Sequence, residues 1–238
     1  MIYVGSKSKL TKELLPIILK DRKEGQWYVE PFAGGMNMIS EVSGNRIAND
    51  LHTPLIEMWK ALIEGWRPGG VYTREEYNYI KDNREEFPEH ELGWVGFTCS
   101  FKGIYMGGFA DESVTRDKVI RNYQIELANN ILNHIPKMKD VVFCNKSYNE
   151  LEIPEGSIIY CDPPYIGTKE YDGSSFNHEK FWDWVRFKDN EGHNIFVSEY
   201  TAPKDFRVVW EKDLITTLSN SSQNRTEKLF KYGEFSWM

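Results

Sequence analysis

Apolar residues recur along the chain in two rhythms, and the change between them divides it. Leu10, Leu14, Ile17 and Ile18 fall at helical spacing after the polar stretch GSKSK and predict a first helix, which Pro16 distorts or ends. Two short apolar runs follow, WYV (27–29) and RIA (46–48), each soon reaching a carboxylate, Glu30 or Asp50, with the glycine-containing PFAGGMNM between them. That order reads as strand, turn, helix, strand. From about 55 to 139 the rhythm is helical: Thr73 and Glu76 are spaced as a capping box, and Val119, Tyr123, Leu127 and Ile131 align on one helical face. Between these helices FTCSFKGIYMGGFADES (97–113) fits neither period and predicts a shaped, exposed loop. Strand-like runs then resume as VVFC (141–144), IIYC (158–161), IFV (195–197), FRVVW (206–210) and KLF (228–230). Short strands alternating with helices predict an α/β domain with a mainly parallel sheet, built from 1–56 and 140–238, with a helical inserted lobe over 57–139. Ligands of such a sheet gather at the carboxyl ends of its strands.

Composition narrows the class. Hydrophobic residues make up 40% of the 238 and aromatic residues 14%, enough for one sizeable core, and no apolar run is long enough to cross a bilayer. The start, MIYVGSKSKL, has no apolar export stretch, so the cytoplasm, of a bacterial cell or a phage-infected host, is the expected location. Cys99, Cys144 and Cys161 lack paired spacing and predict reduced thiols. No histidine spacing suggests a metal ligand set, and His178 and His193 are expected at the surface. The formal charge of -7 means that a nucleic-acid partner would be gripped by local basic patches and not by the overall field.

Three motifs carry candidate chemistry. Asp162-Pro163-Pro164-Tyr165 directly follows a buried-strand pattern. Its two prolines fix the backbone and remove two amide donors, leaving carbonyl oxygens and the Asp162 carboxylate as acceptors beside an aromatic ring, a set suited to an amino group. An adenine amine is a weak nucleophile because its lone pair is delocalised, and acceptors holding its two hydrogens favour the pyramidal, reactive geometry. The alternative is an ordinary Pro-Pro turn with a solvated aspartate. Glu30-Pro31-Phe32-Ala33-Gly34-Gly35 also ends a strand, and Asp50 ends the next; glycines let a cofactor approach the backbone, and an acid on the second strand accepts from ribose hydroxyls. The alternative is a tight turn and a helix-capping Asp50. Near the start, Tyr3 and Lys7 flank Gly5, where Lys7 either pairs with a cofactor carboxylate or is simply solvated.

In this order, with a helical insertion before DPPY, the motifs resemble the Dam-type DNA adenine-N6 methyltransferases with a central target-recognition region, and the resemblance spans nearly the whole chain. It implies a Rossmann-like methyltransferase domain and S-adenosylmethionine held by Tyr3, Lys7, Phe32, Ala33, Gly34, Asp50 and Asp162. It also implies a flipped adenine of double-stranded DNA met by Asp162, Pro163, Pro164 and Tyr165, with no metal and no covalent enzyme intermediate. The context would be restriction–modification, or an orphan or phage modification enzyme. Asn224 to Leu229, NRTEKL, is similar to the family's closing segment. Two stretches depart from the family pattern: Gly34-Gly35-Met36 replaces a Gly-x-Gly spacing, and SFKGIYMGGFA has fewer arginines and asparagines than the usual loop. Lys102, Arg116, Lys118 and Arg121 of the insertion, with Lys169 and Tyr171 after DPPY, are the candidate DNA contacts, each otherwise a solvated surface group. Competing readings are transfer to the cytosine amine or to RNA adenine, a non-catalytic DNA-binding protein of the same fold, and a nucleotide-binding oxidoreductase. The leading Asp162 favours DNA adenine, and the missing GxGxxG opposes the oxidoreductase.

Overall fold

Short apolar runs with no polar face must be covered on both sides, and here they become the inner strands of one seven-stranded sheet. The computed structural model of the protein describes residues 1–3, 5–114, 117–166, 176–216 and 223–233. Helix α1 (Thr11–Ile18) precedes β1 (Tyr28–Glu30) and β2 (Arg46–Asn49); β5 (Val141–Cys144), β6 (Ile158–Cys161), α7 (His178–Asn190) and β7 (Asn194–Glu199) follow later in the chain, and β8 (Phe206–Thr216) and β9 (Gln223–Tyr232) close the sheet. Its order is β5-β2-β1-β6-β7-β9-β8. The first five strands are mutually parallel, whereas β9 runs antiparallel to β7, and β8 antiparallel to β9. The mainly parallel α/β expectation holds, and the reversed final hairpin completes a Rossmann-like sheet.

Strand alternation builds the two layers. From β6, Ile158 and Tyr160 enter the core that holds Leu14 and Ile18 of α1, and Ile159 and Cys161 enter the one that holds Phe181 and Val185 of α7. Pro16 lies inside α1, where it has no N–H to give the preceding turn, and the helix stops two residues later at Ile18.

Between β2 and β5 lie α2 (Thr53–Ile63), α3 (Arg74–Asp82), α4 (Glu89–Thr98), the hairpin β3 (Glu112–Val114) and β4 (Ile120–Asn122), α5 (Tyr123–Leu132) and α6 (Ile135–Met138). The expected capping box is present: Thr73 Oγ1 accepts from the Glu76 N–H at 3.2 Å and Glu76 Oε2 accepts from the Thr73 N–H at 2.7 Å. Position 56/57 falls inside α2, whose buried face runs from Leu55 through Trp59 to Leu62. Val119 does not belong to the helix that contains Tyr123, Leu127 and Ile131; Asn122 caps α5, and the residues before it form the hairpin. The 97–113 stretch is shaped but not simply exposed. Cys99, Ser100, Met106 and Ala110 are buried, and the Gly107 carbonyl accepts from the Tyr77 hydroxyl at 2.9 Å, while Phe101 and Ile104 remain outside. No helix among the described residues is long and apolar enough to cross a membrane.

Candidate active site

From β1 the chain steps outward to β2 and then β5, crosses back to β6, and steps the other way to β7. Loops leaving two adjacent parallel strands at such a reversal part in opposite directions and leave a crevice between them. Glu30 to Gly35 leaves β1 at this point and Asp162 to Tyr165 leaves β6.

The DPPY loop is tied to the N-terminal segment by charge. Lys7 Nζ lies 2.8 Å from Asp162 Oδ1, 3.4 Å from Glu227 Oε1 and 4.6 Å from the centre of the Tyr165 ring, and it donates to the Gly5 carbonyl at 3.2 Å. The Lys7 and Glu227 side chains are 8% and 7% exposed and Asp162 is 22% exposed, so these charges interact in a medium that screens them poorly. Burial alone would lower the Lys7 pKa, but Asp162 and Glu227 outweigh it and hold the ammonium above its usual value. Tyr165 donates its hydroxyl to Glu227 Oε1, and burial, with the neighbouring carboxylates, lifts the phenol well above its ordinary range. The backbone beyond Tyr165 is also fastened: the Ile166 N–H donates to Glu199 Oε2 at 3.1 Å and the Tyr200 N–H to Glu199 Oε1 at 2.7 Å. The Tyr200 ring meets Tyr165 edge-on at 4.7 Å. Burial pushes Glu199 up to about 7 and raises Glu227.

The EPFAGG loop is held from below. Asp50 Oδ2 accepts from the Gly34 N–H at 2.8 Å and Oδ1 from the His52 N–H at 3.0 Å. Asp50 does not cap α2; His52 does, its Nδ1 accepting from the Leu55 N–H. Burial raises the Asp50 pKa against the backbone hydrogen bonds from His52, Gly34 and Leu51. The glycines serve a contact inside the chain. Gly34 has φ +44°, and a Cβ there would lie 3.0 Å from the Tyr3 ring; at Gly35 it would lie 2.7 Å from Tyr3 Cβ. Tyr3 therefore lies against this loop, its ring also 5.7 Å from Phe97 of α4. Ala33 is buried, and Phe32 packs with Tyr148 at 5.4 Å and Phe176 at 5.8 Å. Beneath it Glu30 is 2% exposed, accepts from the Tyr28 hydroxyl at 2.8 Å, and is pushed by burial up to about 8. A cleft of about 770 Å³, lined by Tyr3, Ser6, Lys12, Asn37 and His134 among others, shares Tyr3 with this wall but includes neither Asp50 nor Asp162.

Lys7, Asp162 and Tyr165 thus meet at the crevice, with Pro163 buried and Pro164 exposed in the loop between them, and Tyr3, Gly34 and Asp50 form a second connected group beside it. Lys102 and Lys118 are exposed, each in a left-handed backbone conformation, Lys102 over the Phe101 ring and Lys118 in the turn of the β3–β4 hairpin. Arg121 is already paired with Glu126, its Nε 2.8 Å from Oε1. Arg116, Lys169 and Tyr171 lie outside the described residues. His193 is buried at the start of β7, the end of the sheet opposite Asp162, and not at the surface; His178 is half-buried against Phe176. Cys161 is a buried strand thiol whose pKa burial lifts well above the usual value, unsuited to act as a nucleophile. Sequence reasoning missed the roles of Glu199, Glu227 and Tyr200. A carboxylate interrupting an apolar strand pattern, as in FVSEY (196–200) and TEKLF (226–230), was the available signal.

Residues 3–104 and 107–232 match the family model described as D12 class N6 adenine-specific DNA methyltransferase. Two curated proteins are similar to this chain: modification methylase StsI of Streptococcus sanguinis, 26% identical over 206 residues covering 76% of this chain, and the type II methyltransferase M.FokI of Planomicrobium okeanokoites, 26% identical over 212 residues covering 79%. The matched stretch spans 30% and 31% of those two proteins. Among solved structures, a methylase from Haemophilus influenzae aligns over 96% of this chain and all of its own at 12% identity with a TM-score of 0.37, a likeness too slight to add to the sheet order itself. With a DPPY loop and an EPFAGG loop at the reversal of a Rossmann-like sheet, and a family match that runs nearly from end to end, this chain belongs to the D12 class N6 adenine-specific DNA methyltransferases.

Proposed function

We propose that the chain transfers a methyl group from S-adenosylmethionine to the exocyclic amine of adenine in double-stranded DNA, after the base has rotated out of the helix. The observation that carries this reading is the Lys7–Asp162 pair of 2.8 Å, which joins the DPPY acceptors to the N-terminal cofactor motif at the crevice of the sheet. The residues at the strand ends fit the cofactor by chemistry. Asp50 is a half-buried acceptor for hydroxyls, Phe32 and Tyr148 are an aromatic pair for a purine, and Lys7 with Asp162 offers both charges to an amino-acid end. Tyr3, Ala33 and Gly34 complete that wall.

When bound, S-adenosylmethionine supplies a sulfonium-activated methyl carbon. The chain itself holds the nucleophile. Asp162 and the carbonyl oxygens of its rigid proline loop accept the two amine hydrogens and draw the nitrogen lone pair out of conjugation. Tyr165 offers its ring to the flipped base, whose extrusion costs a few kcal/mol of lost stacking and pairing. Attack by the amine held there would leave the demethylated thioether as the other product, and the surplus amine proton would pass to solvent. Residues 57–139 serve target recognition, with exposed Lys102 and Lys118 facing phosphates, and Arg116, Lys169 and Tyr171 adding to that grip; Arg121 contributes only by exchanging Glu126 for DNA.

The test is incubation with methyl-labelled cofactor and, separately, unmethylated bacterial genomic DNA and RNA, followed by digestion to nucleosides. N6-methyladenine in the DNA is the expected product. Label in a cytosine amine or in RNA would overturn the proposal.

A further inference from the structure

We propose that Glu227 is a positioning residue of the base pocket, fixing the Tyr165 ring through its hydroxyl and sharing Lys7 with Asp162; this rests on the adenine-methylation reading above. Glu227 comes from β9, 62 residues from Tyr165, and its Oε1 accepts the Tyr165 hydroxyl and lies 3.4 Å from Lys7 Nζ. A buried carboxylate is costly unless paired and hydrogen-bonded. Neutralising Lys7 does not require it, because Asp162 already stands 2.8 Å from that ammonium. Two carboxylates against one lysine leave excess negative charge in a buried cluster, and what Glu227 alone adds is a hold on the far end of the Tyr165 side chain.

That hold complements the neighbouring one. Glu199 fixes the peptide after Tyr165 through the Ile166 N–H, and the Tyr200 ring packs edge-on against the phenol at 4.7 Å. The backbone is thus anchored by one strand-end carboxylate and the ring axis by another, from the two adjacent strands β7 and β9. A base stacks productively on a ring whose plane is set before it arrives, and misplacement by about 1 Å in a reacting complex is able to cost about 100-fold in rate.

The experiment measures single-turnover methylation of unmethylated genomic DNA by wild type, Glu227→Ala, Glu227→Gln, Tyr165→Phe and the double variants, with thermal melts as a check on folding. Glu227→Ala should slow transfer by about 100-fold, and Glu227→Gln, which retains a carbonyl acceptor for the hydroxyl, should recover at least about tenfold of that loss. In the Tyr165→Phe background the same substitutions should each change the rate by less than about threefold, because residues that act through one contact are not additive. Full additivity in the double variants would overturn the positioning role, as would equal losses for Ala and Gln, which mark a purely electrostatic effect. Should Glu227→Ala not fold, the Gln cycle alone decides. A wild-type chain that makes no N6-methyladenine would instead bring down the underlying reading and this inference with it.

Discussion

Replacing Lys7 with methionine keeps an unbranched side chain one atom shorter and removes its charge and its hydrogen-bond donors, so it breaks the ion-pair cluster at the crevice while leaving most of the packing. Lys7 is buried between Asp162 at 2.8 Å and Glu227 at 3.4 Å. Deleting one partner of a buried pair costs about 3–5 kcal/mol because the other charge is stranded. Asp162 is 22% exposed and recovers part of its hydration, which brings the expected loss to about 2–3 kcal/mol near neutral pH. The size of the loss must also follow pH. In wild type the Lys7 pKa is raised, so its stabilisation is complete below the ordinary lysine value of 10.5 and fades only as pH climbs through the still higher folded value. Between about pH 5 and about pH 8 the wild-type pair is therefore constant. In the variant, Glu227, already raised by burial, faces the Asp162 carboxylate without a cation between them, and its folded pKa rises further. An acid whose folded pKa exceeds its unfolded one is most favourable below the unfolded value and loses stability as pH rises through the folded value. The deficit of Lys7→Met should then widen by at least about 1 kcal/mol from about pH 5 to about pH 8, given that a shift of one unit is worth about 1.4 kcal/mol. Urea unfolding followed by tryptophan fluorescence at the two pH values reads both numbers. A deficit that is flat with pH, or below about 0.5 kcal/mol at the higher pH as for a solvated surface pair, would refute this account of the cluster.

Other outcomes follow from the same geometry. Glu30, raised by burial from 4.5 to about 8, makes folding weaken as pH rises between those values, so Glu30→Gln should flatten the wild-type stability–pH curve there; parallel unfolding curves would show that the carboxyl does not titrate as its burial requires. Asp50→Ala removes the acceptor for the Gly34 and His52 amides and should raise the S-adenosylmethionine dissociation constant by about tenfold or more in calorimetry, about what the loss of one or two hydrogen bonds to a charged group is worth; unchanged affinity would mean that Asp50 only fastens the loop. Lys118→Ala should lower the salt slope of DNA binding by about 0.9, as the loss of one phosphate contact does, and Arg121→Ala should do less because Glu126 already holds that guanidinium; equal slopes for the two would contradict the importance of that pairing.

The strands and their end motifs were legible because a buried parallel strand is an apolar run that stops where polar chemistry begins, as IIYC (158–161) stops at Asp162. The Thr73–Glu76 box was legible because capping is local. The β3–β4 hairpin was not. Val114, Val119 and Ile120 are exposed, so no burial pattern marks its strands, and Val119 stands by chance at helical spacing from Tyr123. Gly34 and Gly35 read from the sequence as room for a cofactor; what no local spacing reports is that Tyr3, more than thirty residues away, also lies against both. Glu199 and Glu227 were hidden for the same reason: each looks like a stray polar residue in an apolar strand until β7 and β9 pair.

That pairing has a chemical consequence. Because β9 runs opposite to the five parallel strands, its early residues, not its last ones, lie at the edge where the parallel strands end. Glu199, the last residue of β7, stands opposite Lys228, which places Glu227 beside it at the same edge as Asp162. Polar residues near the start of a strand are compatible with an apolar strand that goes on to bury Leu229 and Phe230 in the two core layers. The reversed hairpin therefore closes the sheet and also delivers a carboxylate to Tyr165 and Lys7 from the side opposite β1. Disturbing the core contacts of Leu229 should accordingly weaken both the fold and the alignment of Tyr165, because the same strand carries both.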